Sequence, residues 1–282
     1  MKLGLVLEGG ASRAIFSAGV MDAFLDEGIR SDLVVGVSAG ISNGMSYVSG
    51  QKGRALQTSK YFSDPRYMGL KHLLNPRKRS FYNLSFAFGT VPNEYIPYNH
   101  DAYAQSGILT LAGVTNIKTG QVEFMKVPAF DTTWKTLIAS CALPILFQSV
   151  EINGNKYLDG GIADPIPFNK AFEEGCNKVI VITTREKSYV KDRDLGASLS
   201  ASVYRKYPLV ASLLKKRAPL YNQTLESLRQ AEKEGRLFWI APSDTSEWGR
   251  TDKSFEKLQA MYNEGYQTAL NIMPQLKEYL SL

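Results

Sequence analysis

Short apolar runs alternate with stretches of helical composition along the first part of the chain. Residues 3–7 (LGLVL) and 33–37 (LVVGV) are continuous apolar runs, which are typical of strands buried on both faces. Each run ends in a glycine-containing turn that leads into a predicted helix, the first over residues 14–28 and the second from Ala39 to about Val48. This repeat of strand, turn and helix predicts an α/β fold with a doubly wound, mostly parallel sheet flanked by helices.

The pattern changes in the middle of the chain. Residues 63–105 contain four prolines and many aromatic residues, which indicate an insertion or lid rather than part of the sheet. Further on, Asn153-Gly154 predicts a tight hairpin turn, and residues 177–184 predict another buried strand. The part from about residue 194 is predicted to be mainly helical. No linker composition separates these parts, so we expect residues 1–282 to form a single domain.

The chain is basic, with a net charge of +6 and two short basic clusters at residues 71–79 and 215–217. Such clusters favour an anionic partner, but short ones are usually a solvated face. Residues 207–217 combine Leu209, Leu213 and Leu214 with a basic end, which fits either contact with an anionic membrane or a helix packed on the core. No nucleic-acid partner is predicted.

The cysteine content and the lack of long apolar runs indicate the compartment. Cys141 and Cys176 are predicted to be free thiols, since the chain shows no signal peptide that would direct it to an oxidising compartment. No run approaches the roughly 18 apolar residues of a spanning helix. We expect a cytoplasmic protein that touches the inner face of the membrane at its periphery. The chain shows no metal-ligand pattern, so no metal or cofactor is predicted.

Ser38 lies between Gly36 and Gly40 in the sequence GVSAG, directly after the second apolar run. G-x-S-x-G between a strand and a helix is the nucleophile-elbow pattern. The small residues avoid clashes in a strained turn, and the turn directs the serine hydroxyl to the N-terminus of a helix, where negative charge is favoured. The five residues alone fit a turn without chemistry equally well.

A nucleophilic serine needs a base within hydrogen-bond reach. An α/β-hydrolase places a histidine after its acid, but this chain has only His72 and His100, so that triad is excluded. Both histidines are interpreted as loop or surface residues. The alternative base is the carboxylate of Asp159, which follows a short predicted strand and precedes Gly160 and Gly161.

The loop after the first strand, EGGASRA at residues 8–14, predicts an anion site. It lies at the same sheet edge as Ser38, and amides at a helix N-terminus bind anions. The anion is either the oxyanion of acyl transfer or the phosphate of a nucleotide. A nucleotide is the weaker alternative, because the loop lacks the P-loop lysine and has incomplete G-x-G-x-x-G spacing. The candidate residues are Gly9, Gly10, Ala11, Ser12 and Arg13.

These three motifs, in this order, resemble those of the patatin-like phospholipase family, and the resemblance covers about residues 3–184. Residues 142–161 are also similar to the segment that leads into that family's aspartate. The resemblance implies a three-layer α/β/α fold, with Ser38 as nucleophile and Asp159 as proton acceptor. It also implies an oxyanion hole in the loop at residues 8–14 and a lipid or acyl-ester substrate, cleaved through an acyl-enzyme by a phospholipase A, lysophospholipase or esterase reaction.

The chain departs from the family at Ala11 and Ala14, where the G-x-G-x-x-G form of the loop has glycine. If residue 11 has a positive φ angle, alanine there costs roughly 1–2 kcal/mol. This departure supports the alternative of a non-catalytic lipid-binding or regulatory protein, whereas the presence of both Ser38 and Asp159 supports an enzyme. Arg13 is expected either to anchor the loop or to neutralise a lipid phosphate.

Overall fold

The structure is a computed structural model that describes residues 1–74, 80–192 and 201–281. Part of the basic cluster at residues 71–79 and the predicted start of the helical part near residue 194 lie outside these ranges. The described residues form one sheet of eight strands. The strands are β1 Leu3–Leu7, β2 Leu33–Val37, β3 Leu109–Asn116, β4 Val122–Lys126, β5 Val150–Ile152, β6 Asn155–Asp159, β7 Lys178–Ile182 and β8 Phe238–Ile240.

The sheet is mixed, in the order β5-β6-β3-β2-β1-β7-β8, with β4 paired to β3. Strands β3, β2, β1, β7 and β8 are parallel to one another. Strands β4 and β6 pair antiparallel with β3, and β5 pairs antiparallel with β6. The parallel part is the doubly wound sheet that the apolar runs predict. The predicted hairpin is also present, because Asn153 and Gly154 both have positive φ between β5 and β6.

Helices cover both faces of this sheet, which gives the predicted three-layer α/β/α fold. The helices are α1 Ile15–Asp26, α2 Ser38–Val48, α3 Arg54–Ser59, α4 His100–Gln105, α5 Lys135–Ser140, α6 Phe168–Glu173, α7 Pro208–Lys215, α8 Arg217–Lys233, α9 Phe255–Asn271 and α10 Met273–Leu280. Leu5 and Leu7 of β1 face a core shared with α1, α2, α9 and α10, whereas Val6 faces a second core shared with α6 and α8.

The described residues of the segment at residues 63–105 pack on the sheet domain and contribute no strand to the sheet. It contains a π-helix at Phe86–Tyr95, and α4 at its end. An isolated bridge joins Met68 to Tyr82, and the buried residues Tyr67, Met68, Phe86, Ala87 and Val91 form an apolar cluster of their own. The segment therefore has a small core that is separate from the two main cores.

Helix α7 packs two of its three leucines on the protein. Leu214 is 3% exposed and belongs to a buried cluster, and Leu213 packs partly buried against that cluster. Leu209 is the exposed member of the three, at 53%. Leu213 and Leu214 therefore fit the interpretation of a packed helix, and membrane contact stays a prediction. Among the helices of the described ranges, none has the length and apolar character needed to cross a membrane.

Two glycines allow α1 and α9 to cross with their backbones in direct contact. A Cβ atom on Gly19 would lie 2.0 Å from the carbonyl oxygen of Tyr262, and one on Gly265 would lie 2.0 Å from that of Phe16. Beside this crossing, the Tyr262 hydroxyl donates a hydrogen bond of 2.6 Å to Asp22 of α1. The crossing fixes the C-terminal helices onto the helix that follows β1.

Replacing Gly265 by alanine should therefore destabilise the protein by about 3 kcal/mol or more, at the upper end of the usual cost of overpacking. Without the clash, alanine in a helix would gain about 1 kcal/mol over glycine, so the sign of the change is diagnostic. Urea unfolding measures it, with the exposed Asn263→Ala on the same helix as control. An unchanged or higher midpoint for Gly265→Ala would refute the close crossing.

Candidate active site

Ser38 begins α2 directly after β2, in a left-handed conformation with φ of +56°. The glycines around it are required by the packing of the β1 loop. A Cβ atom on Gly40 would lie 2.3 Å from the carbonyl oxygen of Glu8, and one on Gly36 would lie 2.8 Å from that of Leu7. A strained serine at the N-terminus of a helix is the geometry expected of a nucleophile elbow.

Ser140 holds the backbone of this elbow, a role that the sequence did not reveal. The Ser38 N–H donates a hydrogen bond of 2.9 Å to Ser140 Oγ, and the Ser140 hydroxyl donates one of 2.8 Å to the carbonyl oxygen of Gly113 in β3. Ser140 is fully buried at the end of α5. Its sequence context, LIASCALP, resembles an ordinary buried helix, and the contact spans 102 residues of chain.

Removal of this hydroxyl in Ser140→Ala leaves a buried N–H and a buried carbonyl without their partner. We expect a loss of about 1–3 kcal/mol in stability and slower reaction of Ser38 with a fluorophosphonate. Ser17→Ala is the matched control, since the Ser17 hydroxyl is equally buried but has no hydrogen-bond partner among the described residues. Labelling of Ser140→Ala at the wild-type rate would show that Ser140 does not support the elbow.

The strand register brings Asp159 to the level of Ser38. Val37 pairs with Gly113, and the next residue of β3, Val114, pairs with Asp159 at the end of β6. Ser38 and Asp159 thus lie two strand spacings apart, about 10 Å between backbones, within the reach of two converging side chains. Gly160 permits this approach, because a Cβ atom there would lie 2.2 Å from the carbonyl oxygen of Gly113.

The carboxylate of Asp159 is 2% exposed and has one oxygen fixed and one unsatisfied. Oδ1 accepts a hydrogen bond of 2.8 Å from the Gly161 N–H, whereas Oδ2 is buried and accepts none from the described residues. Burial raises the pKa of Asp159, although the Ser38 hydroxyl, the Gly161 amide and the charges of Arg217 and Arg250 oppose the increase. A buried carboxylate that has a raised pKa and an oxygen free of hydrogen bonds from the described residues is suited to accept a proton.

The loop at residues 8–14 is anchored by its first residue. Glu8 is buried and accepts hydrogen bonds from the Thr184 N–H at 2.6 Å and from the Tyr221 hydroxyl at 2.7 Å. Gly10 packs so closely on Thr184 that a Cβ atom there would lie 2.5 Å from Oγ1. The loop is thereby tied to the end of β7 and to α8.

Within this loop, the amides of Ser12 and Arg13 are already used. They donate to the carbonyl oxygens of Arg250 and Gly10, at 3.1 and 3.2 Å. No described residue accepts a hydrogen bond from the amides of Gly9, Gly10 or Ala11. Of the predicted oxyanion residues, these three are therefore the ones whose amides are available to an anion.

The two alanines of the loop differ in their effect. Ala11 has φ of +51°, so it adopts the left-handed conformation and carries the strain expected of a side chain there, about 1–2 kcal/mol. Ala14 has φ of −64°, in the ordinary helical region, and carries none. The departure from glycine at Ala14 therefore adds no backbone strain to the loop, whereas that at Ala11 costs stability.

The two histidines and Cys141 are less suited to act as base or nucleophile. His72 and His100 bond through ring nitrogens to the carbonyl oxygens of Pro65 and Ala129, and neither is among the described residues that line the cavities at Ser38. Cys141 lies 3.4 Å from the Ser42 hydroxyl, and burial raises its pKa to about 12. Its thiol is thus neutral at physiological pH and a poor competitor for Ser38.

Two cavities meet at Ser38. The apolar cavity, of about 140 Å³, lies between the elbow and the segment at residues 63–105, which contributes Tyr67, Tyr82, Ala87, Phe88 and Pro92 to its wall. The basic cavity, of about 70 Å³, lies on the Asp159 side and contains arginine side chains. Ala11, Ser38 and Leu143 line both cavities. A molecule bound across Ser38 would therefore have an apolar part on one side and an anionic part on the other.

Comparison with known proteins gives relatives for most of the chain. It is 30% identical over 196 residues to the uncharacterized protein YjjU of Escherichia coli, covering 65% of this chain and 52% of YjjU. It is 24% identical over 283 residues to lysophospholipase NTE1 of Saccharomyces cerevisiae, covering 93% of this chain and 16% of NTE1. The chain therefore spans about half the length of YjjU and about a sixth of NTE1.

A solved structure and two families also match. VipD from Legionella pneumophila superposes with a TM-score of 0.46 at 13% identity, covering 97% of this chain and 67% of VipD. Residues 207–281 match a domain of unknown function, DUF6363. Residues 5–172, more than half of the chain, match patatin-like phospholipase. The protein belongs to the patatin-like phospholipase family.

Proposed function

We propose that the protein is a serine hydrolase that cleaves fatty-acyl esters of lipids with a Ser38–Asp159 dyad. The observation that carries this proposal is the register of β2, β3 and β6, which sets the buried carboxylate level with the strained serine. Family membership and similarity to proteins named lysophospholipase support a lipid substrate.

The proposed reaction has two steps. Asp159 accepts the proton of Ser38 as Oγ attacks the acyl carbonyl, and the amides of Gly9, Gly10 and Ala11 hold the oxyanion. Asp159 then gives the proton to the departing alcohol, which leaves an acyl-enzyme. Water then attacks the acyl carbon and loses a proton to Asp159, the bond from that carbon to Ser38 Oγ breaks to release the fatty acid, and Asp159 returns the proton to Oγ. An alcohol in place of water would give acyl transfer by the same steps.

The strain at the elbow favours this enzyme over a non-catalytic lipid-binding protein. A left-handed serine costs about 1–3 kcal/mol and persists only where its surroundings enforce it. Here the glycines and the buried Ser140 hydroxyl enforce it, and Asp159 adds the cost of a buried carboxylate. Lipid binding needs neither a strained serine nor a buried carboxylate, whereas nucleophilic catalysis by a Ser-Asp dyad uses both.

The apolar cavity is the proposed acyl-chain site, and the segment at residues 63–105 is its proposed lid. Phe88 and Pro92 of this segment face the same cavity as Ser38. The net charge of +6 supports contact with an anionic membrane, which we place at the inner face in the cytoplasm. Movement of the segment at such a surface would admit a lipid chain.

The test is intact mass after treatment with a fluorophosphonate, with and without lipid micelles, followed by peptide mapping. One adduct located on Ser38, together with fatty-acid release from a lysophospholipid by untreated protein, would support the hydrolase. An adduct on another serine would show that the nucleophile is that residue and not Ser38. Absence of any adduct in both conditions would refute the hydrolase and favour lipid binding.

A further inference from the structure

The apolar cavity contains a group of hydrogen-bond donors among its otherwise apolar walls. Four residues of the wall each have one buried donor atom that makes no hydrogen bond to a described residue: Ser46 Oγ, Arg54 Nε, Thr58 Oγ1 and Trp134 Nε1. Thr58 follows Arg54 by one turn of α3, so the two are neighbours on that helix. Buried polar groups are normally paired, so this concentration on one cavity requires an explanation. We call these four residues the donor cluster.

Tyr98 brings three parts of the donor cluster together. Its ring centroid lies 5.1 Å from the guanidinium carbon of Arg54 and 5.0 Å from the ring centroid of Trp134, which it meets edge to face. Its hydroxyl donates a hydrogen bond of 3.1 Å to the carbonyl oxygen of Met45, the residue before Ser46. Side chains from α2, α3 and the start of α5 therefore meet at one end of the cavity.

Arg54 gives the donor cluster a positive charge. It is 9% exposed, and it is the only charged residue among the described residues that line the apolar cavity. Its Nη2 donates a hydrogen bond of 3.0 Å to the carbonyl oxygen of Ile96, and no carboxylate in the described ranges forms an ion pair with it. Burial lowers its pKa to about 10, so the guanidinium stays protonated at neutral pH. A buried cation favours an anion as its partner.

The chemistry of the donors indicates which group they bind. The indole of Trp134 and the guanidinium of Arg54 donate hydrogen bonds and accept none, and the two hydroxyl groups of the cluster also donate. A methyl group would leave all these donors unpaired, and an ammonium group would be repelled by Arg54. A carboxylate has acceptor sites for several donors and a negative charge, so it matches both the donors and the cation.

The distance from Ser38 sets the length of the molecule that reaches the donor cluster. Ser46 follows Ser38 by eight residues on α2, which corresponds to about 12 Å along the helix axis. A zigzag carbon chain with bonds of about 1.5 Å advances about 1.3 Å per bond, so about nine bonds span this distance. An acyl group of about ten carbons, attacked by Ser38 at its first carbon, would therefore place its last carbon at the donor cluster.

We propose that the donor cluster binds a carboxylate at the far end of the acyl chain, so that the acyl group is that of a dicarboxylic acid of about ten carbons. This inference rests on the proposed function, which places the acyl chain in the apolar cavity and its ester at Ser38. Arg54 and Trp134 are then specificity-determining residues. An acyl group that ends in a methyl fits the same walls but leaves the buried donors unpaired.

The experiment compares three p-nitrophenyl esters with ten-carbon acyl chains in the same neutral detergent: those of decanoic acid, 10-hydroxydecanoic acid and, as the monoester, decanedioic acid. The wild type should hydrolyse the decanedioic monoester with a kcat/KM about tenfold higher or more than that of the decanoic ester, although a purely apolar site would reject its charge. A ratio of these two values of one or less would refute the carboxylate site. Preference for the hydroxyl ester over both others would also refute it, because the cluster would then serve a neutral acceptor.

Two variants test the residues of the cluster. Arg54→Gln should lower this ratio about tenfold or more, and Trp134→Phe, which keeps a ring and removes the N–H, should lower it about fivefold. Lys60→Gln is the matched control, since it removes the same charge just after α3 from an exposed residue that does not line the described wall of the cavity. It should leave the ratio unchanged. An unchanged ratio in Arg54→Gln would overturn the proposal, and if Tm shows that this variant is unfolded, Trp134→Phe decides.

Binding of uncleavable ethers, measured as a shift in Tm, separates this inference from the proposed function. The ligands are 10-phenoxydecanoate and decyl phenyl ether, which have the same chain with and without the carboxylate. If 10-phenoxydecanoate raises Tm more than the ether does, in the wild type but not in Arg54→Gln, and no ester is hydrolysed, the hydrolase is refuted and the carboxylate site is supported. Hydrolysis of the three esters with a ratio of one or less would refute the carboxylate site alone.

Discussion

Ser38→Ala is expected to reduce ester hydrolysis at least about 10⁴-fold, because the variant has no atom that can form the acyl-enzyme. Residual activity would come from water attacking an ester held by the loop amides. Fluorophosphonate labelling should disappear completely. The fold should survive, since alanine keeps the Ser38 N–H that bonds to Ser140. Initial rates with a chromogenic acyl ester and intact mass measure both effects.

Ser42→Ala is the matched control for this loss. Ser42 lies one turn further along α2, lines the same apolar cavity and donates its hydroxyl to the Ser38 carbonyl oxygen at 3.2 Å. Loss of the Ser42 hydroxyl should change the rate of ester hydrolysis by only a small factor and leave fluorophosphonate labelling of Ser38 unchanged. If Ser38→Ala retained a tenth or more of the wild-type rate, Ser38 could not be the nucleophile.

Asp159→Asn should lower activity about 10³–10⁴-fold and, at neutral pH, make the protein more stable. The amide cannot accept the Ser38 proton, which explains the loss of rate. The gain in stability follows from the raised pKa of Asp159 in the folded protein. Above that pKa, folding buries a charged carboxylate at a cost, and the neutral amide removes this cost.

The pH dependence of protein stability tests whether Asp159→Asn is stabilising for this reason. The raised folded pKa means that the native protein binds the proton more tightly than the unfolded chain, so the cost of Asp159 grows as pH rises through the folded pKa. The stability difference between Asp159→Asn and wild type should shrink on acidification and vanish below the unfolded pKa. Wild-type activity should fall with pH through the same folded pKa, at a higher pH than an ordinary aspartate would give.

Asp164 supplies a control with the same charge change. Burial raises its pKa to about 6, and it is not among the described residues that line either cavity. Asp164→Asn should therefore also stabilise the protein at neutral pH but keep its activity. Should Asp159→Asn lose stability at neutral pH while keeping its activity, the proposed base would be wrong.

Local sequence patterns were sufficient for the elements that depend on local chemistry. The apolar runs of β1 and β2, the Asn153-Gly154 hairpin and the elbow glycines each follow from neighbouring residues. The order of strands could not be read in this way. That β6 lies antiparallel to β3, and so brings Asp159 level with Ser38, depends on pairings between distant segments.

The supporting parts of the candidate site were hidden for the same reason. Ser140 lies in an apolar helix segment and reaches Ser38 only after α5 packs under the elbow. Arg185 and Arg250 follow no motif, and they become neighbours of Arg13 only when the C-terminal part folds against the loop at residues 8–14. The order of the motifs is enough to name the candidate reacting groups, whereas the residues that support them can be found only from the complete fold.

The carbonyl groups of Arg250 and Asp252 receive the amide and the hydroxyl of Ser12, so the C-terminal part of the chain helps to shape the proposed oxyanion loop. A relative with a different C-terminal part could therefore contain all three motifs and still lack this geometry of the loop. Transplanting residues 5–172 alone into another protein would transfer the proposed reacting groups without the segment that bonds to Ser12 of the loop. In evolutionary terms, the two parts are expected to change together.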